Sequence, residues 1–152
     1  MAHAAGSTIV VGVDGSRSSL DALRWAIDQA DSTGATLRAV TAWSYPEHGT
    51  PFGIVPELPL SEDPLAETRK RLDEAVKSAL EGLENVAVGT EVVHGDAAPV
   101  LVDASRDAAL LVVGSRGLGA IAGTFLGSVS EHCVRHASCP VVVMRSVNET
   151  SK

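Results

Sequence analysis

Between Gly114 and Ser130 the chain reads Gly-Ser-Arg-Gly-Leu-Gly-Ala-Ile-Ala-Gly-Thr-Phe-Leu-Gly-Ser-Val-Ser, with Gly114, Gly117 and Gly127 spaced by two and nine residues. Glycine adopts φ > 0 and carries no side chain, so a connection of this kind lets bare backbone N–H groups converge on an anion. A helix that starts at the far end adds unpaired N–H donors and a partial positive charge. Phosphate is the anion that suits such a cradle. Ser128 and Ser130 stand where the helix begins, either as caps or as phosphate contacts, and a cap whose N–H groups also meet a phosphate does both. Val129 would offer its backbone N–H, with its side chain in the core. Arg116 and Ser115 lie inside the connection, where a guanidinium and a hydroxyl can pair with phosphate. Plainer readings stand beside these: glycine after a strand is usually a turn glycine, and a surface arginine is usually solvated.

The elements that must hold this connection are legible on both sides of it. Leu110-Leu111-Val112-Val113 is too short an apolar run for a helix and fits a buried parallel strand. Ser128 to His136 has helical spacing. Upstream, strand and helix signals alternate. Thr8–Val13 reads as a strand, and Ser16 caps a helix to about Ser32 with Ala22, Leu23, Ala26, Ile27 and Ala30 on one face. Gly34 ends that helix, and Thr36–Ala42 reads as the next strand. Ser44–Ser61 is rich in proline and glycine and reads as a loop. Pro64 opens the longest helix, to about Leu83, with Leu65, Leu72, Val76, Ala79, Leu80 and Leu83 as its stripe. Val86–Val93 gives a third strand, Asp96 and Pro99 open a short helix to about Ser105, and Val141–Met144 is the last strand. Strand–helix alternation with apolar strands implies an α/β fold: one domain, a doubly wound, five-stranded parallel sheet with helices on both faces. Such sheets bind ligands beyond the carboxyl ends of their strands, where strand order reverses.

The spacing glycine-x2-glycine-x9-glycine-serine resembles, without departure, the ATP-binding motif of the universal stress protein family. Val10-Val11-Gly12-Val13-Asp14-Gly15-Ser16 is similar to that family's opening strand and aspartate, and Val100–Ser105 and Cys139-Pro140-Val141-Val142-Val143-Met144 are similar as well. The resemblance covers about Thr8 to Arg145 and points to the ATP-binding branch. It implies strand order 3-2-1-4-5, so that Asp14 and Gly114 flank one crevice at the switch between the first and fourth strands. It also implies that Val40 meets adenine through its backbone and that Gly12, Val13 and Gly15 line the same wall. Asp14 then accepts hydrogen bonds from ribose hydroxyls; its plainer reading is a turn aspartate holding Gly15 or Ser16.

Composition bounds the remaining possibilities. The chain has 152 residues, 45% of them hydrophobic, which suits one domain, and with 3% aromatics its core is built from Val, Leu, Ile and Ala. A net charge of −7 argues against a nucleic-acid binder that tracks phosphates. No apolar run approaches a membrane span, and the opening Met-Ala-His-Ala-Ala lacks the features of a signal peptide, so a cytoplasmic location is expected. Cys133 reads as a small core residue and Cys139 as a more exposed thiol; the five histidines form no metal-like cluster. Trp25 falls off its helix stripe, and Trp43 ends a strand. No GxSxG, HExxH or Walker lysine is present, so a dedicated turnover enzyme is not supported.

The expectation is therefore a nucleotide-dependent regulatory or stress-response protein, not an enzyme, that binds ATP with Mg²⁺. Its site is Val13, Asp14, Gly15, Val40, Gly114, Ser115, Arg116, Gly117, Gly127, Ser128, Val129 and Ser130, with no catalytic residue and no metal-ligating side chain. AMP or cyclic AMP binding, slow ATP hydrolysis and a structural nucleotide in an interaction module stay open. The expected organisation is a disordered N-terminus over 1–7, a nucleotide-binding domain over 8–145 and a tail over 146–152. In the implied strand order Val141–Met144 is an apolar edge strand, which invites aggregation unless covered. The same strand of a second protomer would cover it, giving a homodimer; the alternative is a monomer whose tail folds over the edge.

Overall fold

The computed structural model describes residues 7–44, 63–116 and 126–146. In chain order its elements are β1 (Thr8–Gly12), α1 (Arg17–Thr33), β2 (Thr36–Trp43), α2 (Pro64–Ala79), β3 (Val88–His94), α3 (Ala97–Ser105), β4 (Leu110–Gly114), α4 (Ser128–His136) and β5 (Val141–Met144). Among the described residues the five strands form one sheet in the order β3-β2-β1-β4-β5, every neighbouring pair parallel. This is the doubly wound α/β arrangement expected. Gly117, Gly119 and Gly123, the loop read over Ser44–Ser61 apart from Ser44, His3 and His48, and most of the tail lie outside the described residues.

Alternation along the strands sorts the core into two layers. Ile9, Val11, Leu37, Ala39 and Val112 pack with Leu23, Ile27, Leu72 and Val76 of α1 and α2. Val10, Val40, Leu111 and Val113 pack on the other face with Leu101 of α3 and Cys133 of α4. Both faces of the central strands are thus covered, which is why they read as continuous apolar runs.

Local signals set the helix ends. Ser16 caps α1 by accepting from Ser19 N–H, and Gly34 closes it at φ 76° with its N–H on the Ala30 carbonyl. Asp63 accepts from Ala66 N–H at 3.1 Å ahead of Pro64, a residue that suits a first helical turn because it lacks an N–H. The helix α2 stops at Ala79, short of the expected Leu83. Its stripe continues, since Leu80 and Leu83 still pack against the core, but a turn with Leu83 N–H on the Leu80 carbonyl hands the chain to β3. Trp25 is half-buried against that core, and Trp43 meets His94 edge-on with ring centroids 5.1 Å apart. At the N-terminus the Ser7 carbonyl accepts from Thr36 N–H at 2.9 Å, and past β5 the Ser146 hydroxyl donates to Asp21 Oδ2 at 3.1 Å.

Candidate functional site

The strand order reverses between β1 and β4, and a narrow crevice of about 70 Å³, partly open to solvent, lies beyond their carboxyl ends. Gly12, Val13 and Asp14 reach it from β1, Ser16 and Ser19 from the start of α1, and Val40 and Ala42 from β2. Ala97 and Leu101 of α3, Val113, Gly114 and Arg116 at the end of β4, and Val129 and Ser130 of α4 complete it. A second depression, along Ala66, Arg69, Lys70, Asp73, Glu74 and Lys77, runs down the outer face of α2. There acids and bases alternate on a solvated helix surface, and the parallel-sheet rule gives it no ligand.

Each wall has a local cause. Asp14 Oδ1 accepts from Ser16 N–H at 2.8 Å, and Asp14 N–H donates to Ser19 Oγ at 3.2 Å, so the carboxylate both shapes the turn into α1 and stands at the crevice. A carboxylate has two oxygens and about four acceptor directions, so the turn bond is compatible with a second donor. Gly15 completes that turn at φ 86°, where a glycine is favoured, and it does not line the crevice. Val13 N–H donates to the Val40 carbonyl at 2.9 Å, and the Val13 carbonyl accepts from Thr41 Oγ1 at 2.8 Å. The expected backbone contact at Val40 is narrowed accordingly: its carbonyl already serves the fold, while the residue itself sits on the wall.

The glycine-rich connection is pinched at its base. Gly127 N–H donates to the Ser115 carbonyl at 2.7 Å, and Ser115 N–H donates to the Met144 carbonyl at 2.7 Å. Ser130 is 3% exposed, with its hydroxyl 3.1 Å from the Ser115 carbonyl and 3.0 Å from that of Gly127. Ser115 therefore anchors the connection to β5 and α4, and the Ser130 hydroxyl gives its proton to that closure. Gly127, the residue before α4, adopts φ −69° and supplies no side-chain cap. The first N–H groups of a helix have no intrahelical partner, so Ser128, Val129 and Ser130 present donors and the positive end of the helix dipole at this corner. Gly114 proves to be a close-approach glycine: a Cβ there would lie 2.7 Å from both Ser18 C and Ser19 N of α1.

Of the expected site residues, Val13, Asp14, Val40, Gly114, Arg116, Val129 and Ser130 converge on the crevice, Gly15, Ser115, Gly127 and Ser128 flank it, and Gly117 lies outside the described residues. Sequence reasoning missed Ser19, Ala42, Ala97, Leu101 and Val113 and saw Ser16 only as a cap. Ser16 and Ser19 carried a signal, since a helix start directly after a strand's carboxyl end must border such a crevice.

Cys133 is fully buried, and burial pushes its thiol up to about 11. Cys139 is half-buried; burial raises its pKa, and a backbone hydrogen bond with Leu111 opposes this. Neither has the lowered pKa of a reactive thiol. His132 and His136 stand 4.4 Å apart between ring centroids on α4, and among the described residues no group of three or more His, Cys, Asp or Glu side chains gathers to hold a metal.

The model of the universal stress protein family matches residues 7–145. A universal stress protein of Mycobacterium tuberculosis is 39% identical over 139 residues, which make up 91% of this chain and 48% of that protein. The chain thus spans about half the length of the curated relatives it matches. A universal stress protein solved in complex with cAMP is 30% identical, with a TM-score of 0.65 over 93% of this chain and 98% of that one. A solved protein of the family from Burkholderia pseudomallei is 27% identical, with a TM-score of 0.63 over 95% and 99% of the two chains.

Proposed function

The chain belongs to the universal stress protein family, and from that premise we propose that its crevice binds ATP with Mg²⁺ and that occupancy is read as a signal in a stress response. The observation that carries this reading is the meeting of two features at the strand-order switch. The carboxylate of Asp14 stands on one side, and the start of α4, without a side-chain cap, stands on the other. In this reading the phosphates take the N–H groups of Ser128, Val129 and Ser130, with Arg116 supplying a guanidinium. Asp14 accepts from the ribose, and Val13, Val40 and Leu101 bound the adenine. Gly117 adds to the cradle, while Ser115, Gly127 and Gly15 hold its backbone in shape.

The residues present suit Mg²⁺ only as a companion of phosphate. Mg²⁺ keeps several waters and can be held through phosphate oxygens, so it would arrive with the nucleotide, and Asp14, given to the ribose, is not counted as its ligand. When bound, the ion would neutralise phosphate charge. We read the protein as a binder rather than a turnover enzyme, located in the cytoplasm, with its domain over 8–145. Among the described residues no helix is long and apolar enough to cross a membrane.

A homodimer through β5 belongs to the same proposal. The bonds from Leu111 N–H to the Pro140 carbonyl and from Ser115 N–H to the Met144 carbonyl set the alternation along this strand. Val142 and Met144 then direct their N–H groups to β4, and Val141 and Val143 direct theirs outward at the sheet edge. An apolar edge of this kind calls for a cover.

The 30%-identical structure with cAMP favours a second reading, in which AMP or a cyclic nucleotide is preferred. Calorimetry with ATP, AMP, cyclic AMP and adenosine, with and without Mg²⁺, separates the two, beside chromatography of whatever small molecule the purified protein releases on denaturation. ATP binding strengthened by Mg²⁺ supports the first reading. Tighter binding of a monophosphate supports the second, and no binding of any of the four overturns both.

A further inference from the structure

Ser18 lies beside the crevice but outside its lining, and its side chain does work that the nucleotide reading leaves unassigned. The residue is 4% exposed. Its hydroxyl engages both backbone groups of Arg116, donating to the carbonyl at 2.5 Å and standing 3.3 Å from the N–H as acceptor. Ser16 Oγ donates to the same carbonyl at 3.2 Å. Just before it, the missing Cβ of Gly114 lets the α1 backbone at Ser18 and Ser19 press against the end of β4. Arg116 is where the strand has ended and the glycine-rich connection departs. Ordinarily a neighbouring strand satisfies the N–H and C=O of such a residue; here one buried hydroxyl serves both.

We propose that Ser18 is a positioning residue for the phosphate half of the site. It touches no ligand, and it fixes the main chain of Arg116 so that the guanidinium starts from one geometry. This rests on the adenine-nucleotide reading above. A site held in shape before binding loses less freedom when the ligand arrives, so the clamp is expressed in affinity. The adenine side of the crevice, Val40, Ala97 and Leu101, is built from other elements and does not depend on it.

The test is Ser18→Ala, measured by calorimetry against ATP–Mg²⁺ and against adenosine, with amide hydrogen exchange of Arg116 in the nucleotide-free protein. Expected are about 5–10-fold weaker ATP binding, adenosine binding within about 2-fold of wild type, and clearly faster Arg116 exchange. Ser105→Ala is the control. That hydroxyl is also fully buried and bonded, donating to the Val102 carbonyl at 2.6 Å and accepting from Ser138 N–H at 2.9 Å, but it lies away from the crevice. Its loss should lower stability and leave both affinities unchanged. Unchanged Arg116 exchange in Ser18→Ala overturns the clamp, whatever the nucleotide does. Equal losses of ATP and adenosine, or none, overturn its role in phosphate positioning while the nucleotide reading stands. A wild-type protein that binds neither ligand overturns both.

Discussion

Replacing Gly114 by alanine separates two meanings of a glycine at the end of a strand. If the residue served only as a phosphate turn, the nucleotide-free protein would not notice the new methyl. In the structure that methyl meets backbone: it would lie 2.7 Å from Ser18 C and from Ser19 N, and closer still to Ser18 Oγ. A side-chain tip can swing aside; the first turn of α1, docked against β4, cannot do so cheaply. Overpacking of this kind costs about 1–3 kcal/mol, and backbone partners put it at the upper end. Displacing α1 also stretches the Ser18–Arg116 hydrogen bonds, each contributing about 0.5–1.5 kcal/mol net. Gly114 is not in the left-handed region, so alanine recovers about 0.4–1 kcal/mol from the unfolded chain. The net expectation is a loss of about 2–3 kcal/mol, which for a domain of this size lowers Tm by roughly 5–10 °C. Urea unfolding followed by circular dichroism, with nucleotide removed, measures it. A free-energy change within about 0.5 kcal/mol of wild type would refute the close-approach argument.

Arg116→Ala should weaken ATP by about 10-fold or more and leave adenosine nearly unchanged in calorimetry, because a charge-assisted contact contributes roughly 1.5–3 kcal/mol. Cys133 is held protonated by burial, with its pKa raised from 9.0 to about 11. Its contribution is therefore complete below about pH 9 and lost as pH rises toward 11, an effect of order 3 kcal/mol. Urea midpoints of wild type minus those of Cys133→Ala should narrow across that window; a constant difference counts against it. Val143→Pro removes an outward N–H and should convert dimer to monomer in light scattering, whereas Val142→Pro breaks the β4 ladder and should unfold the edge. A wild-type protein monomeric at high micromolar concentration sinks the dimer.

The order of elements was legible because each one is signalled locally: Ser16 and Gly34 bracket α1, Pro64 opens α2, and the valine runs are too short to be helices. The end of α2 was not, since the apolar stripe runs on through Leu80 and Leu83 after the hydrogen-bonded helix has stopped. Periodicity records burial, not hydrogen bonding. At the site, Asp14, Arg116 and Val129 could be named from type and position. Gly114 was identified with its reason incomplete, because a close approach by α1 is a property of two segments about 100 residues apart. Ala97 and Leu101 carry no chemistry of their own, and only the docking of α3 beneath the strand ends brings them to the crevice. Ser130 reads from sequence as a cap or a phosphate contact, and its hydroxyl proton closes the base of the connection on Ser115 and Gly127.

The central claim is that the nucleotide occupies the crevice between the ends of β1 and β4, phosphates toward α4. An amide-resolved NMR titration of the full chain with ATP–Mg²⁺ tests it most directly. The expected result is saturable shifts at Val13, Asp14, Val40, Val129 and Ser130, with the adenosine titration moving the first three and sparing the last two. Shifts confined to the outer face of α2, around Arg69, Lys70 and Lys77, or no saturable shifts at all, would contradict the account.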